Sequence, residues 1–444
     1  MKSMKKVLSL ILVLLMTAAM VACDSNNTST TPETVEKKDY SRFAGIVEDP
    51  TTWYDNFMQL PVANEDMTEQ ELRQLCVDAF EANLTFCWTP NEEVSYTYEL
   101  LDKYHTVRLP AGLVYSGLFY ATGIKDATCG NIWKILPFYD KETGVLDVEA
   151  MGDNVNVLNY CSSACSYGAQ QAWNRVSNSH NLAGMDSFNL YNAGIVPVGP
   201  YTYDPSTYNY NFGSRSASNE IIAANGNEVI LESYAQMKLA DGLYSSSSWH
   251  VLMCCEDPVV IRNEDGTVNP GASYVHVHEQ GSGGTRTDDY NYKLDNGSVM
   301  RPLGSVDNKY TFQTLLEKGY IPFTLKEFIG EDPVEPGDAW LGALETPLES
   351  GKDMTANELF AQTLFANYNI CTLLVEVKAP DGTVLVSYHP TALTKPMTYD
   401  ISLMGMLQAE RLEPYADGSN TIHISAQLSN GELKEAFSTV LKMN

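Results

Sequence analysis

Residues 159–177 read Asn-Tyr-Cys161-Ser-Ser-Ala-Cys165-Ser-Tyr-Gly-Ala-Gln-Gln-Ala-Trp-Asn-Arg-Val-Ser. Ala164, Tyr167, Gln171, Ala172, Arg175 and Val176 recur at three- and four-residue steps, so one stripe of a helix can face a core. Ser162 and Ser163 are good helix-starting residues, which puts Cys161 at or just before the N-terminus. Unsatisfied N–H groups and the helix dipole favour a thiolate there, and a thiolate is the form that attacks carbonyls. Cys165 lies one turn later and can face the same way, but the exposed cap position makes Cys161 the expected nucleophile. The competing reading is a small apolar cysteine packed in a core helix.

A cysteine nucleophile needs a base brought from elsewhere in the chain. His250 opens an apolar strand, His250-Val-Leu-Met-Cys-Cys, after the polar loop Ser245–Trp249. The next strand signal, Tyr274-Val-His276-Val-His278-Glu279-Gln280, supplies polar partners that can orient the imidazole. Glu279 and Gln280 lie on opposite faces of a strand. Glu279 is the first choice, because a carboxylate also stabilises an imidazolium, with Gln280 second and His278 third. His276 and His278 alternate on one face and also suit two metal ligands, but polarity on a half-exposed strand accounts for them, and no metal or other cofactor is expected.

Working outward, strand signals run from Glu228 through residue 280, with a turn at Asn263-Glu-Asp-Gly-Thr. A helix followed by an antiparallel sheet is an α+β arrangement. Residues 40–105 read as helix and loop, with a capping box at Thr68-Glu-Gln-Glu71 leading into Leu72, Leu75, Cys76 and Phe80. The Asn-, Tyr-, Ser- and Gly-rich stretch 178–225 reads as a surface insertion whose aromatics pack the loop or stack on sugars. A linker rich in Pro, Glu, Asp and Gly at 330–338 precedes short alternating strands with turns at Asp381-Gly, Asp417-Gly and Asn430-Gly. That pattern predicts a small all-β, Ig-like sandwich over 340–444.

The N-terminus carries Lys2, Lys5 and Lys6, an apolar run Val7–Met16 and the small-residue stretch ending Met20-Val-Ala-Cys23. This reads as a signal peptide over 1–22, and the Cys after Ala22 resembles the lipidated cysteine of bacterial lipoproteins. Residues 23–39 are polar and aperiodic, as a flexible tether is. The expected location is the extracellular face of the bacterial membrane, held only by the lipid on Cys23. The net charge is −28 with no basic run, so nucleic acid and anionic lipid are poor partners. Nine cysteines spread over 444 residues form no disulfide-scaffold or paired zinc spacing.

Three segments in order resemble the NlpC-type, papain-like cell-wall cysteine peptidases. Gly112-Leu-Val-Tyr115-Ser-Gly117 resembles the family's upstream Gly-x-Pro-Tyr, with Val114 for Pro. Tyr160-Cys161-Ser162-Ser163 resembles its Asp-Cys-Ser-Gly, with Tyr160 for Asp and Ser163 for Gly. Leu239-Ala-Asp-Gly-Leu-Tyr with Trp249-His250-Val resembles its Gly-Asp and Gly-His-Val strand pair. The resemblance covers pieces of roughly 105–285 and implies an NlpC-like catalytic domain over 40–335. It implies a Cys161–His250–Glu279/Gln280 site, with Tyr115 lining it and donating to the intermediate. The implied substrate is an amide bond of the peptidoglycan stem peptide. Two other classes fit the same residues: a papain-like amidase or acyltransferase on another amide, and a non-catalytic surface-binding lipoprotein. Oligomeric state and the sandwich's role stay open at this stage.

Overall fold

The fold comes from a computed structural model, which describes residues 50–100, 103–120, 131–151, 162–163, 165–177, 194–203, 216–281, 292–293, 299–330, 341–343, 353–390 and 400–442. The expected leader, Cys23, the tether and the 330–338 linker from residue 331 onward lie outside those residues, as does Cys161. Among the described residues the architecture is mixed α and β, with several sheets and no closed barrel. Among the described residues no helix is long and apolar enough to cross a membrane.

One sheet and five of six helices build the part of the molecule around His250; the first helix packs in the other core. The helices are α1 (Pro50–Met58), α2 (Glu69–Thr85), α3 (Cys165–Trp173), α4 (Ala217–Asn225), α5 (Asn227–Tyr234) and α6 (Phe312–Glu317). The strands are β1 (Ile195–Pro197), β2 (Gly242–Ser245), β3 (His250–Cys254), β4 (Tyr274–Glu279), β5 (Ser305–Thr311) and β6 (Ile321–Leu325). They hydrogen-bond in the order β5-β4-β3-β2-β6-β1, with every neighbour antiparallel.

The start of α2 follows directly from its sequence. The Thr68 N–H donates to Glu71 Oε2 at 2.8 Å while the Glu71 N–H donates back to Thr68 Oγ1 at 3.3 Å. These bonds satisfy two end donors, and Leu72, Leu75, Cys76 and Phe80 then turn inward at helical spacing. On the same helix Arg73 is buried and donates to Asp241 Oδ1 at 2.6 Å and to the Leu239 carbonyl at 2.7 Å. Its other end amine donates to Thr324 Oγ1 at 3.2 Å, so one guanidinium joins α2 to the start of β2 and to β6. Burial pushes the Asp241 carboxyl up, and Arg73 opposes that push. Replacing Arg73 by Met strands this carboxylate, and a broken buried pair costs about 3–5 kcal/mol. A urea unfolding curve of Arg73→Met should show a loss of that size.

Gly242, next to Asp241, is required by packing. A Cβ built there meets the Phe323 ring at 1.9 Å, and that ring sits on the adjacent strand β6. Gly242→Ala forces Phe323 out of its buried position, and overpacking of this kind costs about 1–3 kcal/mol. A thermal melt of the variant is the check.

Several expectations need correction. The helix begins at Cys165 and not at Cys161, because Ser162–Ser163 are extended and pair in parallel with Phe119–Tyr120. Val229-Ile-Leu forms helix α5 and not a strand: Ile230, Leu231, Ser233 and Tyr234 are its buried face, a helical period that outweighs local β-branching. Residues 40–105 are not only helix and loop, since Cys87–Pro90, Val94–Leu100 and Lys103–Leu109 are strands. The 178–225 insertion is partly built into the fold: β1 edges the main sheet, Tyr201 is buried, and α4 closes the stretch. Tyr208 and Tyr210 lie outside the described residues.

A second six-stranded sheet includes Cys87–Pro90, Val114–Ser116 and Val299–Pro302. The C-terminal region holds a five-stranded and a three-stranded sheet. One apolar cluster runs from Trp53, Phe86, Trp88 and Ile132 into Leu373, Val375, Ile422 and Ile424. Described residues of the segment before 151, among them Phe86, Trp88 and Ile132, thus share a cluster with the C-terminal sheets. The main sheet, α2 and α3 form the other cluster, with Trp173, Leu252 and Phe323 at its centre.

Candidate active site

The loop before His250 is a run of serines, and each has a task. Ser245 pairs with His250 across the β2–β3 hairpin. Ser245 Oγ and Ser247 Oγ donate to the Lys318 carbonyl at 2.7 and 3.0 Å, just past α6. Ser246 Oγ accepts from the Ser218 N–H at 2.9 Å in the first turn of α4. The loop is thus fixed to two helices. It ends in Trp249, whose φ of +51° is a left-handed conformation that a bulky residue adopts only under constraint. The Trp249 carbonyl lies 3.6 Å from Cys165 Sγ and accepts from the sulfur when it is a thiol.

Cys165 stands at the first position of α3 and is 7 % exposed. Burial raises a thiol's pKa, yet the net direction here is down. The His250 ring opposes burial through its charge and a hydrogen bond, and the Val251 and Ser166 backbone N–H groups add two more donors to the sulfur. Burial likewise disfavours a charged His250, but Cys165 and Glu279 together push it up to about 10. Both directions favour the same arrangement, a deprotonated sulfur beside a protonated imidazole, at the N-terminus of a helix and the start of a strand.

The third member is Glu279. His250 Nε2 lies 2.6 Å from Glu279 Oε2, which leaves Nδ1 as the ring nitrogen for the sulfur. Leu252 and Glu279 face each other by the β3–β4 register, so His250, two residues earlier, shares the Glu279 face and meets it diagonally. The other carboxylate oxygen, Oε1, accepts from Asn308 Nδ2 and from the Tyr310 hydroxyl, the latter at 3.1 Å. Asn308 and Tyr310 are alternate residues of β5, so both reach the same face. A carboxylate held by three donors cannot swing away from the imidazole.

Not every expected site residue is brought here. The structure gives His250 a cysteine partner, but it is Cys165; Cys161 lies outside the described residues. Gln280 does not orient His250. It is 1 % exposed and donates to the Leu118 carbonyl at 2.7 Å, tying the end of β4 to residue 118. His278 is buried edge-on to Phe80, its Nδ1 accepts from the Asp307 N–H, and its Nε2 lies 3.3 Å from Glu81 Oε2. Tyr115 does not line an open site. It is fully buried against Trp88, and its hydroxyl donates to the Pro110 carbonyl at 3.3 Å. Gly117 beside it holds a φ of +88° over the Leu84 carbonyl, where a Cβ would stand at 2.5 Å.

Asn308, Tyr310 and the Val251 N–H were not singled out from the sequence. The alternation Asp307-Asn308-Lys309-Tyr310 carried the signal for the first two, since it puts two hydrogen-bonding side chains on one strand face. For Cys165 the signal was the run Cys165, Ala169, Ala172, Trp173, Val176, a buried stripe that starts with the thiol itself. Comparison with known proteins finds no matching family model, no matching curated protein and no matching solved structure, so the site is read from its own geometry.

Proposed function

We propose that this chain is a cysteine peptidase or amidase in which Cys165 is the nucleophile, His250 the general base and acid, and Glu279 the residue that orients and charges the imidazole. The observation that carries the reading is the continuous Cys165–His250–Glu279 relay, with the thiol on the first turn of a helix. A buried ion pair of a reactive sulfur is costly to build for stability alone.

In the proposed reaction the thiolate attacks an amide carbonyl carbon, forming a C–S bond and moving the carbonyl π electrons onto oxygen. Backbone N–H groups of the first turn of α3 are the natural donors to that oxyanion, and one such donor is worth roughly 3–4 kcal/mol. The His250 imidazolium then gives its proton to the leaving amine as the C–N bond breaks. Water, deprotonated by the now neutral His250, attacks the thioester, and the acid product and thiolate are released.

The substrate class rests on the resemblance of the segment around His250 to the strand pair of cell-wall peptidases, and on the lipoprotein-like N-terminus; the family's motif matches at Tyr115 and Cys161 do not carry over, because Tyr115 is buried and the thiol beside His250 is Cys165. Together they favour an amide of the peptidoglycan stem peptide, cut by an enzyme tethered at the outer face of the membrane through Cys23. The two sheets after residue 340 are read as an Ig-like sandwich attached to a papain-like catalytic unit. The test is to incubate the mature chain with purified peptidoglycan and follow muropeptides by mass spectrometry. New stem-peptide fragments that vanish in His250→Ala support the reading. Intact muropeptides with fast, His250-dependent thiol labelling would move the substrate to another amide. Intact muropeptides with slow labelling would remove catalysis and leave a surface-binding lipoprotein.

A further inference from the structure

We infer that His276, Asp307 and Glu256 form a site for a divalent transition metal of the Zn2+ type, on the far side of β4 from Glu279. One donor atom from each residue lies within 4.8 Å of the others. His276 Nδ1 stands 2.6 Å from Asp307 Oδ1, and the Cys255 sulfur is 3.9 Å from that same oxygen. The set therefore offers one imidazole nitrogen and two carboxylates, with the Cys255 sulfur beside Asp307 but outside the group of three.

The backbone is shaped to bring these groups together. His276 pairs with Lys309 and Val277 with Asn308, but Glu279 pairs with Ser305, so two residues of β5, Val306 and Asp307, stand against the single residue His278. This bulge gives Asp307 a φ of +59°, which turns its side chain onto His276 while its N–H donates to His278 Nδ1 at 3.2 Å. Lys309, the nearest cation across the strands, is drawn onto the Tyr274 ring, its Nζ 3.5 Å from the centroid.

Donor chemistry selects the ion. Nitrogen with carboxylate, and sulfur near, suits Zn2+; Ca2+ and Mg2+ prefer all-oxygen cages. Two carboxylates and a neutral imidazole balance the charge of one Zn2+. The metal would take the place of the hydrogen bond between His276 Nδ1 and Asp307 Oδ1. Both side chains are partly exposed, at 26 % and 33 %, so they have room to open from 2.6 Å to the roughly 3.3 Å that separates two ligands of a tetrahedral ion with bonds of roughly 2.0–2.2 Å. Asp307 is followed by Asn308, which holds Glu279. An ion here would fix the bulge that supports the carboxylate behind His250, as a structural element with no part in bond breaking.

The test is calorimetric titration of Zn2+ into the mature chain carrying Cys165→Ala, so that the thiol beside His250 cannot bind the ion. Binding should saturate at one equivalent and be absent with Mg2+. Glu256→Gln, at an exposed position, should weaken it by at least about 10-fold. His276→Gln and Asp307→Asn should abolish it, with circular dichroism of the metal-free variants unchanged from the parent. Absence of Zn2+ binding, or binding of unaltered strength in Glu256→Gln and His276→Gln, overturns the site.

Discussion

Cys165→Ala should lower kcat/KM for amide hydrolysis by about 10⁴-fold or more, the scale on which removal of a nucleophile is felt. Cys161→Ala should leave it within about threefold. The two thiols are only four residues apart, so the contrast is demanding. Its basis is that the Cys165 sulfur receives the His250 ring and the Val251 and Ser166 N–H groups at the head of α3. Cys76 and Cys254, by contrast, are buried thiols pushed well up by desolvation. Double replacement of Cys165 and His250 should cost little more than either alone, because the two act as one unit. Steady-state hydrolysis of stem peptides by the four variants, the three single replacements and the double, is the check.

Glu279→Ala should be the next most damaging change, with a loss of about 10²–10⁴-fold, the range attributed to a positioned acid–base group. Glu279→Gln should be milder, because an amide oxygen can still accept from Nε2–H. The pH profile separates orientation from charge. The active ion pair needs Cys165 deprotonated and His250 protonated. Activity should therefore rise as pH climbs through the lowered Cys165 value and fall as pH passes about 10, where His250 loses its proton. The same groups act on stability. The raised His250 value stabilises the fold fully below the ordinary histidine pKa, and that contribution fades as pH rises through about 10. The lowered Cys165 value stabilises above the ordinary thiol pKa, and that contribution is lost as pH falls through the shifted value. Removing the Glu279 charge weakens the imidazolium, so the alkaline limb of Glu279→Gln should move to lower pH. A residue that merely fills space would lower kcat/KM without moving that limb.

How much of this was legible in the sequence depended on whether the signal was local. The Thr68–Glu71 box is an exchange between residues three apart, and the helix it predicts is present. The turn at Asn263–Thr267 closes with the Asn263 N–H on the Thr267 carbonyl at 2.8 Å, as its Asn, Asp and Gly content implies. His250 after a polar loop reads as the head of a strand, and it is one. The choice of Glu279 over Gln280 followed from electrostatics, and the β3–β4 register puts Glu279 on the His250 face.

What misled was non-local. Ser162 and Ser163 are good caps in isolation, but Phe119 and Tyr120 pair with them and hold them extended, which moves the helix start by one turn. That single pairing moves the N-terminal position from one cysteine to the next. Tyr115 was placed by resemblance of its segment, yet its strand pairs with Cys87–Pro90 and buries the ring on Trp88. The bulge at Asp307 arises from register between strands about thirty residues apart, and nothing in either strand alone announces it.

The central claim is that Cys165 is a thiolate held by His250. It is tested most directly by the rate of alkylation by iodoacetamide as a function of pH, with each cysteine followed by mass spectrometry in the parent and in His250→Ala. The account predicts that Cys165 is labelled fastest, with an inflection below the ordinary thiol value of 9.0 that returns upward when His250 is removed. Labelling of Cys165 no faster than the buried thiols, on an ordinary thiol profile that His250→Ala leaves unmoved, would contradict it.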